Sequence, residues 1–132
     1  MATKTYVVPV DFSKGSDAAL KYAIKYVRRK KAKLALVHVV PLVVNIGTVA
    51  GYVRGELQSL SRRFGLKAGE YRLLVLERGE AAQAIVSAAQ RLRAVMIIMG
   101  SSGRSGLQKF ILGSVAERTL RLSKCPVLIV NR

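Results

Sequence analysis

The sequence contains few of the side chains that bind metals, form disulfides or carry out hydrolysis. It has one cysteine, one histidine and seven aspartates and glutamates in 132 residues. Cys125 has no second cysteine to pair with, so nothing argues for an oxidising compartment, and a zinc site of four Cys and His ligands is excluded. Because general bases are scarce, the composition favours a binding protein with slow or no turnover and without catalytic residues.

Acidic residues are also scarce beside the basic ones. Lysine and arginine number 23, which gives a net charge of +16 and makes polyanions admissible partners. A run with no acid in it indicates either a site for nucleic acid or an acidic partner, or a solvated helix end whose cations suit the negative pole of the dipole. That run consists of Lys21, Lys25, Arg28, Arg29, Lys30, Lys31 and Lys33.

Targeting signals are weak. The first ten residues, MATKTYVVPV, lack the apolar core and cleavage site of a signal peptide, so we expect a cytoplasmic protein. One uncharged stretch, Leu34 to Val53, is long enough to span a bilayer. Its Pro41, its Asn45 and its many valines fit a buried strand followed by an apolar loop better, and we expect no membrane partner.

Apolar runs of strand length alternate with stretches of helical periodicity along the chain. Strands that are continuous apolar runs, separated by helices, are typical of a parallel sheet covered on both faces. We therefore predict one doubly wound α/β domain over residues 1–132. Strands are predicted at 4–10, 34–40, 71–77, 94–99 and 126–130, and helices at 16–28, from Val53 to Phe64 as a shorter one, from Ala81 to Leu92, and at 114–122.

The predicted fold indicates where a ligand would bind. In such sheets ligands bind beyond the carboxyl ends of the strands, where the winding reverses. That edge would collect Val10 and Asp11, His38 to Val40 at the end of the second strand, and the chain from Met99 onward. Pro9 lies near the end of the first strand, where a central strand avoids proline, so either the site breaks local rules or the strand ends there. Both interpretations bring Asp11 to the same rim.

Glycines recur in the segment from Met99 to Leu120, which reads MGSSGRSGLQKFILGSVAERTL. As a phosphate site, Gly100 and Gly103 would let backbone N–H groups approach a ligand, and the helix start at Ser114 would present unpaired N–H groups. As a structural feature, the glycines would form a flexible loop, and Ser114 with Glu117 would form a capping box. The spacing matches neither a P-loop nor a dinucleotide fingerprint, and both interpretations stay open.

The motifs, taken in order, resemble the nucleotide-binding branch of the universal stress protein family. The pattern Gly100-x2-Gly103-x9-Gly113-Ser114 follows the strand VMIIM and precedes VAERTL and KCPVLIV. The segments VVPVDFSKGSDAAL and LALVHVVP look like the family's first strand with its helix start and its second strand. The resemblance covers essentially the whole chain.

The resemblance implies ATP binding, with Mg or Mn on the phosphate oxygens, a sheet of strand order 3-2-1-4-5, and a homodimer joined along the fifth strand at 126–130. Asp11 would line the nucleoside end, Val39 would meet adenine through its backbone, and the glycine loop would hold the phosphates. Arg104 and Lys109 either contact phosphate or are solvated loop charges. The residues implied by position are Pro9, Val10, Asp11, Val39, Met99, Gly100, Gly103, Arg104, Gly113, Ser114 and Val115.

Two features depart from the family's commoner pattern. Ser102 stands where many relatives carry a histidine or arginine, which leaves the backbone cradle intact. The segment after Pro41 is shorter than in several relatives, which puts the lid over the nucleotide in doubt. We interpret the neutral stretch from Leu42 to Tyr52 as an apolar flap over the base or a contact for a partner.

The leading hypothesis is an ATP-binding, nucleotide-responsive module for regulation or stress adaptation. One alternative is a stress adaptor that binds a polyanion other than a nucleotide through its basic face. A second is a slow ATPase in which Asp11 holds a metal or orients water. His38 is expected to be a packed strand residue, because Cys125 lies at the opposite rim and forms no dyad with it.

Overall fold

Strands and helices alternate along the chain as predicted. A computed structural model describes residues 3–41, 45–77, 80–102 and 111–131, and five strands and four helices lie in these ranges. In chain order they are β1 (Thr5–Pro9), α1 (Lys14–Lys30), β2 (Lys33–Val40), α2 (Ile46–Arg63), β3 (Tyr71–Glu77), α3 (Ala81–Arg91), β4 (Met96–Gly100), α4 (Ser114–Leu122) and β5 (Val127–Val130).

The strands form one parallel sheet in the order β3-β2-β1-β4-β5. The chain begins in the middle, builds outward through β2 and β3, and then returns to add β4 and β5 on the other side of β1. The doubly wound α/β fold and the strand order are therefore confirmed. The winding reverses between β1 and β4, which is where a parallel α/β sheet opens a crevice for a ligand.

The core has two layers because successive strand side chains point to opposite faces of the sheet. Tyr6 and Val8 on β1 belong to the layer that α1 and α2 cover. Val7, between them, belongs to the layer that α3 and α4 cover. All three are at most 3% exposed, so the middle strand is buried on both faces, as its continuous apolar run predicted.

Helix α2 begins earlier than the sequence pattern predicted. It spans Ile46–Arg63, 18 residues against 17 in α1, so the prediction of a shorter second helix starting at Val53 was wrong. Asn45 caps it, with its side-chain oxygen accepting from Gly47 N–H at 2.9 Å, and Val49 packs against the core one turn before Val53. The part of the proposed apolar flap from Ile46 to Tyr52 is therefore helix, and residues 42–44 lie outside the described ranges.

The uncharged stretch that is long enough for a bilayer is divided between two elements. Residues 34–40 belong to β2, and residues 46–53 form the first two turns of α2. Within the described ranges, no helix has the length and apolar character needed to cross a membrane.

An exposed ion pair fastens the loop before β3 to the end of α1. Arg28 Nε and Nη2 donate to the two Glu70 carboxylate oxygens at 3.1 and 3.2 Å, and Nη2 also donates to Gly65 O at 2.7 Å. Lys67 N–H donates to Glu70 Oε1 at 2.7 Å. The hydrogen bond from Arg28, followed by that from Lys67, holds the pKa of Glu70 below its usual 4.5.

This lowered pKa predicts how the pair responds to pH. The charged form of Glu70 is favoured by folding, so its contribution is fully present above about pH 4.5 and is lost as the pH falls through the lowered folded pKa. Glu70→Gln is expected to cause a small loss of stability at pH 7, because both groups face solvent. Urea unfolding at pH 7 and pH 3 measures this. A difference from wild type that grows towards acid pH would contradict the assignment.

Candidate functional site

The crevice opens where β1 and β4 part. Val10 N–H donates to Val37 O at 2.8 Å, so Val10 faces β2 and, by alternation, Pro9 faces β4. The β1–β4 pairing covers only Tyr6↔Met96 and Val7↔Ile97 and has ended before Pro9. Because proline has no N–H to donate towards β4, the ladder between β1 and β4 ends before Pro9, at the carboxyl edge of the sheet.

A cavity of about 340 Å³ occupies this crevice. Its size is at the lower end of the range for small-molecule pockets. The wall combines the carboxyl ends of β1, β2 and β4 with the starts of α3 and α4, as the switch-point rule requires. The lining residues are Pro9, Val10, Asp11, Ser16, Val37, His38, Val39, Ala81, Ile85, Met99, Gly100, Ser101, Ser102, Gly113, Ser114, Val115 and Ala116.

Most of the residues that the sequence singled out come together in this cavity. Nine of the eleven line it: Pro9, Val10, Asp11, Val39, Met99, Gly100, Gly113, Ser114 and Val115. The other two, Gly103 and Arg104, lie outside the described residues, as does Lys109. The geometry shows that these nine share a wall, and their role in binding a nucleotide stays a prediction.

Asp11 is fixed by the start of α1. Its Oδ1 accepts from Ser13 N–H at 3.0 Å, and its own N–H donates to Ser16 Oγ at 3.3 Å. Ser13 caps the helix in turn, accepting from Ser16 N–H at 3.2 Å. Between them, Phe12 has a φ of 64°, an uncommon backbone conformation for an aromatic residue. The turn therefore holds the Asp11 carboxylate at the rim in one orientation.

The His38 side chain is fixed by a hydrogen bond and a ring contact. Its Nδ1 lies 2.7 Å from Val10 O, and since a carbonyl only accepts, this nitrogen carries the hydrogen and leaves Nε2 as an acceptor in the neutral ring. The ring also packs against Phe12, with centroids 5.0 Å apart. His38 is a half-buried strand residue, as expected, and it lines the cavity at the carboxyl end of β2, the edge where the sequence placed it.

The start of α4 differs from the predicted capping box. The N-cap is Gly113 and no side chain caps the helix among the described residues, so Ser114 is the first helical residue. The Glu117 carboxylate does not accept from the N-cap N–H, which donates to Ser101 O; it accepts from Arg121 Nη2 at 2.9 Å. A serine at the first helical position lies beyond the N-cap geometry that a capping box needs. The prediction was wrong by one residue.

The amides at this helix start are not equivalent. Gly113 N–H donates to Ser101 O at 2.6 Å, which fastens α4 to the end of β4 and removes one donor from the predicted cradle. The N–H groups of Ser114 and Val115 occupy the first helical positions, where a helix has no internal acceptor for them. Both residues line the cavity, so two of the three predicted amide donors remain for a ligand.

The electrostatics of the cavity favour an anion at its helix side. The first turns of α1, α3 and α4 contribute Ser16, Ala81 and Ser114 to the lining, so the positive dipole ends of three helices meet at one rim. Asp11 is the only carboxylate among the described lining residues and lies at the end of β1. The cavity thus has an anion-favouring side and an acidic, apolar side.

Comparison with known proteins identifies the family. The sequence model of the universal stress protein family matches residues 2–131 of this chain. The chain belongs to the universal stress protein family. A curated relative, universal stress protein MJ0531 of Methanocaldococcus jannaschii, is 30% identical over 140 residues, covering 98% of this chain and 82% of the relative.

Solved structures of other universal stress proteins share the fold. That of MJ0577 from Methanocaldococcus jannaschii superposes with a TM-score of 0.77 at 26% identity, covering 100% of this chain and 98% of the other. A universal stress protein solved in complex with cAMP has a TM-score of 0.73 at 27% identity, with 98% of each chain covered. At least one structural relative therefore binds a nucleotide.

Two glycines of this universal stress protein are required by packing. A Cβ on Gly100 would lie 2.7 Å from Gly15 O, and a Cβ on Gly15 would lie 2.4 Å from Ser102 O. Both contacts are with backbone atoms, which cannot rotate away as a side chain does. The first turn of α1 therefore sits directly on the end of β4, and Gly100 has a structural reason for being glycine whatever the cavity binds.

The described lining offers little for metal binding. In the ranges that the structure covers, no group of three or more His, Cys, Asp and Glu side chains is placed to hold a metal ion.

The lining residues that the sequence did not assign to the site are mostly small or apolar. They are Ser16, Val37, Ala81, Ile85, Ser101, Ser102 and Ala116, together with His38. Of these, the sequence placed His38 at this edge, near the end of the second strand, as a packed residue and not as part of the binding site.

Proposed function

We propose that this universal stress protein binds ATP in the crevice between β1 and β4 and acts in the cytoplasm as a nucleotide-responsive module, with residues 1–132 as one domain. The observation that carries the proposal is the cavity itself, which nine of the residues implied by the family motif line together. The cAMP complex of a relative 27% identical supports a nucleotide as the ligand.

The phosphates would lie against the start of α4. Ser114 and Val115 present N–H groups there with no helical acceptor, and the dipole of α4 adds positive potential. Gly113 would contribute by its position, since its N–H already donates to Ser101 O. Gly103 and Arg104 complete the proposed phosphate loop by analogy with the family motif, outside the described residues.

The nucleoside would occupy the strand side of the cavity. Val39 would meet adenine through its backbone, with Pro9, Val10 and Met99 as apolar walls and Asp11 facing the ribose. Asp11 is suited to accept from sugar hydroxyls because Ser13 N–H already fixes its carboxylate. His38 Nε2 adds an acceptor at the same wall.

Mg or Mn would fit this site only if the phosphates of the nucleotide supplied most of its ligands. Mg²⁺ is often held by one or two carboxylates together with substrate phosphates and water. The described lining supplies one carboxylate, Asp11. The metal would neutralise phosphate charge, and we expect it to strengthen ATP binding and to leave an adenosine ligand unaffected.

Calorimetry of the full chain with ATP and Mg²⁺ tests the proposal. Asp11→Asn keeps an oxygen for Ser13 N–H and removes the charge, so we expect a loss of affinity of about tenfold with the fold retained. Glu77→Gln, which removes an exposed carboxylate outside the cavity, is the matched control. No heat of binding with wild type, or equal affinities for wild type and Asp11→Asn, would refute the assignment.

A nucleoside monophosphate is the second candidate ligand, favoured by the relative that binds cAMP. The same titration with AMP and cAMP decides between them. If ATP binds more tightly than AMP and cAMP, the second and third phosphates contribute to the affinity. If cAMP binds as tightly as ATP, the affinity comes from the nucleoside and the first phosphate. Phosphate release from wild type against Asp11→Ala tests the remaining alternative, a slow ATPase.

We propose that the protein forms a homodimer through β5. The strand pairs with β4 on one side, and the segment that precedes it in the chain, residues 111–122, carries four exposed apolar residues at 37–47% exposure: Ile111, Leu112, Val115 and Leu120. An unpaired apolar edge invites pairing with a second copy. Ser101 N–H donates to Val130 O, so by alternation Ile129 N–H points away from β4.

Ile129→Pro removes that outward donor and leaves the β4 ladder intact. We expect light scattering at micromolar concentration to give twice the chain mass of 14.4 kDa for wild type and a shift towards the monomer for this variant. A monomeric wild type would contradict the dimer.

A further inference from the structure

The outer face of α1 carries a cationic surface along its middle and last turns. Lys21, Lys25 and Arg29 recur every four residues and are all exposed. This spacing places them in one row along the helix, about 6 Å apart. We call this the basic row.

An aromatic row lies beside it. Tyr22 and Tyr26 are also four residues apart, and their rings stack with centroids 6.2 Å apart and planes 22° from parallel. Tyr22 is 45% exposed. Lys30 Nζ lies 4.9 Å from the centre of the Tyr26 ring and continues the row by one turn.

The aromatic row is anchored in the core. Tyr26 meets Tyr6 edge-to-face at 5.5 Å, and Tyr6 is 3% exposed, so the two inner rings are packed and the outer one is presented to solvent. The rings therefore form a rigid platform, and little side-chain freedom remains to be lost when a planar group stacks on Tyr22.

The helix dipole explains only Arg29 of the basic row. The dipole acts within the last turn, which here holds Arg28, Arg29 and Lys30. Lys21 and Lys25 lie one to two turns earlier. The one acid in α1, Asp17, lies in its first turn, and Arg28 is engaged by Glu70. The charges of the row are therefore not compensated along α1.

We propose that single-stranded nucleic acid binds this face, with bases stacked on Tyr22 and phosphates along Lys21, Lys25 and Arg29. A cationic track beside exposed aromatic rings is the general arrangement for sequence-tolerant binding of single strands. A membrane surface would need an exposed apolar helix face, and the apolar face of α1 is buried in the core. An acidic protein would account for the cations and leave the exposed ring of Tyr22 without a role.

The surface is separate from the proposed ATP site. Helix α1 begins at the carboxyl edge of the sheet, where Ser16 lines the cavity, and runs back towards the amino edge. The two rows belong to its middle and last turns. Saturating ATP is therefore expected to leave nucleic-acid binding unchanged, so failure of either proposal is visible without the other.

Fluorescence anisotropy with labelled oligo(dT), oligo(U) and a DNA duplex tests the proposal on the full chain. We expect either single strand to bind more tightly than the duplex. Tyr22→Ala is expected to weaken single-strand binding by about tenfold, and Tyr22→Phe to retain it, because stacking needs the ring and not the hydroxyl.

A charge-matched pair of triple variants supplies the control. Replacing Lys21, Lys25 and Arg29 with alanine should reduce the slope of log affinity against log salt by about 2, at roughly 0.7 per phosphate contact. Replacing the exposed Arg72, Arg91 and Lys124 removes the same charge elsewhere and should change the slope little. Equal losses in both triple variants, wild-type affinity in Tyr22→Ala, or equal binding of the duplex and of an acidic peptide would overturn the proposal.

Discussion

Ser114→Pro is expected to weaken ATP binding by about ten- to a hundredfold while the thermal stability stays close to that of wild type. Ser114 is the first residue of α4, where a helix has no acceptor for the N–H and where proline is well tolerated. The residue before it, Gly113, has φ −66° and ψ 160°, the extended conformation that a following proline requires. The substitution thus removes one proposed phosphate donor and leaves the helix start unchanged.

The size of the effect follows from the charge of the ligand. A hydrogen bond to an ionised group contributes about 1.5–3 kcal/mol, which corresponds to the expected factor. Ser114→Ala is the control, since it removes the hydroxyl and keeps the N–H, and it should bind ATP within a few-fold of wild type. If the proline variant melts at the wild-type temperature and binds ATP equally well, the Ser114 amide does not hold a phosphate.

Gly100→Ala is expected to lower the free energy of unfolding by about 1–3 kcal/mol. The new Cβ would lie 2.7 Å from Gly15 O and 2.8 Å from Gly15 C, so α1 or the end of β4 must shift. Both elements carry cavity residues, and we therefore expect weaker ATP binding as well. Urea unfolding and calorimetry on the same sample measure the two effects.

Gly55→Ala is the matched control. Gly55 lies in α2, and a Cβ there would meet no other atom within 4 Å. Alanine is the better helix former, so this variant should gain about 0.5–1 kcal/mol. If Gly100→Ala unfolds like wild type but does not bind ATP, the glycine is needed to leave space for the ligand, and the close contact with Gly15 does not limit stability.

The fold followed from sequence because its signals were local and repeated. The apolar run YRLLVLE bounded β3 at Tyr71–Glu77 correctly, and the periodicity after Gly113 bounded α4 at Ser114–Leu122. The start of α2 was missed, because the uncharged residues before Val53 read equally as an apolar loop or as a helix face. Asn45 as a cap was the decisive signal there.

The site was predicted less completely, for a different physical reason. The family resemblance indicated the site residues, and the switch-point rule indicated the carboxyl edge of the sheet. Nine of the eleven residues line the cavity at that edge. Whether Gly113 N–H faces a ligand depends on its hydrogen bond to Ser101 O, twelve residues earlier in the chain. The contact of Gly15 with the end of β4 is likewise a tertiary contact, and no periodic pattern in the sequence predicts it.

The most direct test of the central claim is a titration of the ¹⁵N-labelled chain with ATP and Mg²⁺, followed residue by residue through the backbone amide resonances. The account predicts that the Ser114 and Val115 amides shift most, with Val39 and Met99 moving along the same binding curve. The outer face of α1, reported by Tyr22 and Lys25, should remain unchanged. An unshifted Ser114 and Val115 at saturating ATP, or shifts confined to α1, would contradict it.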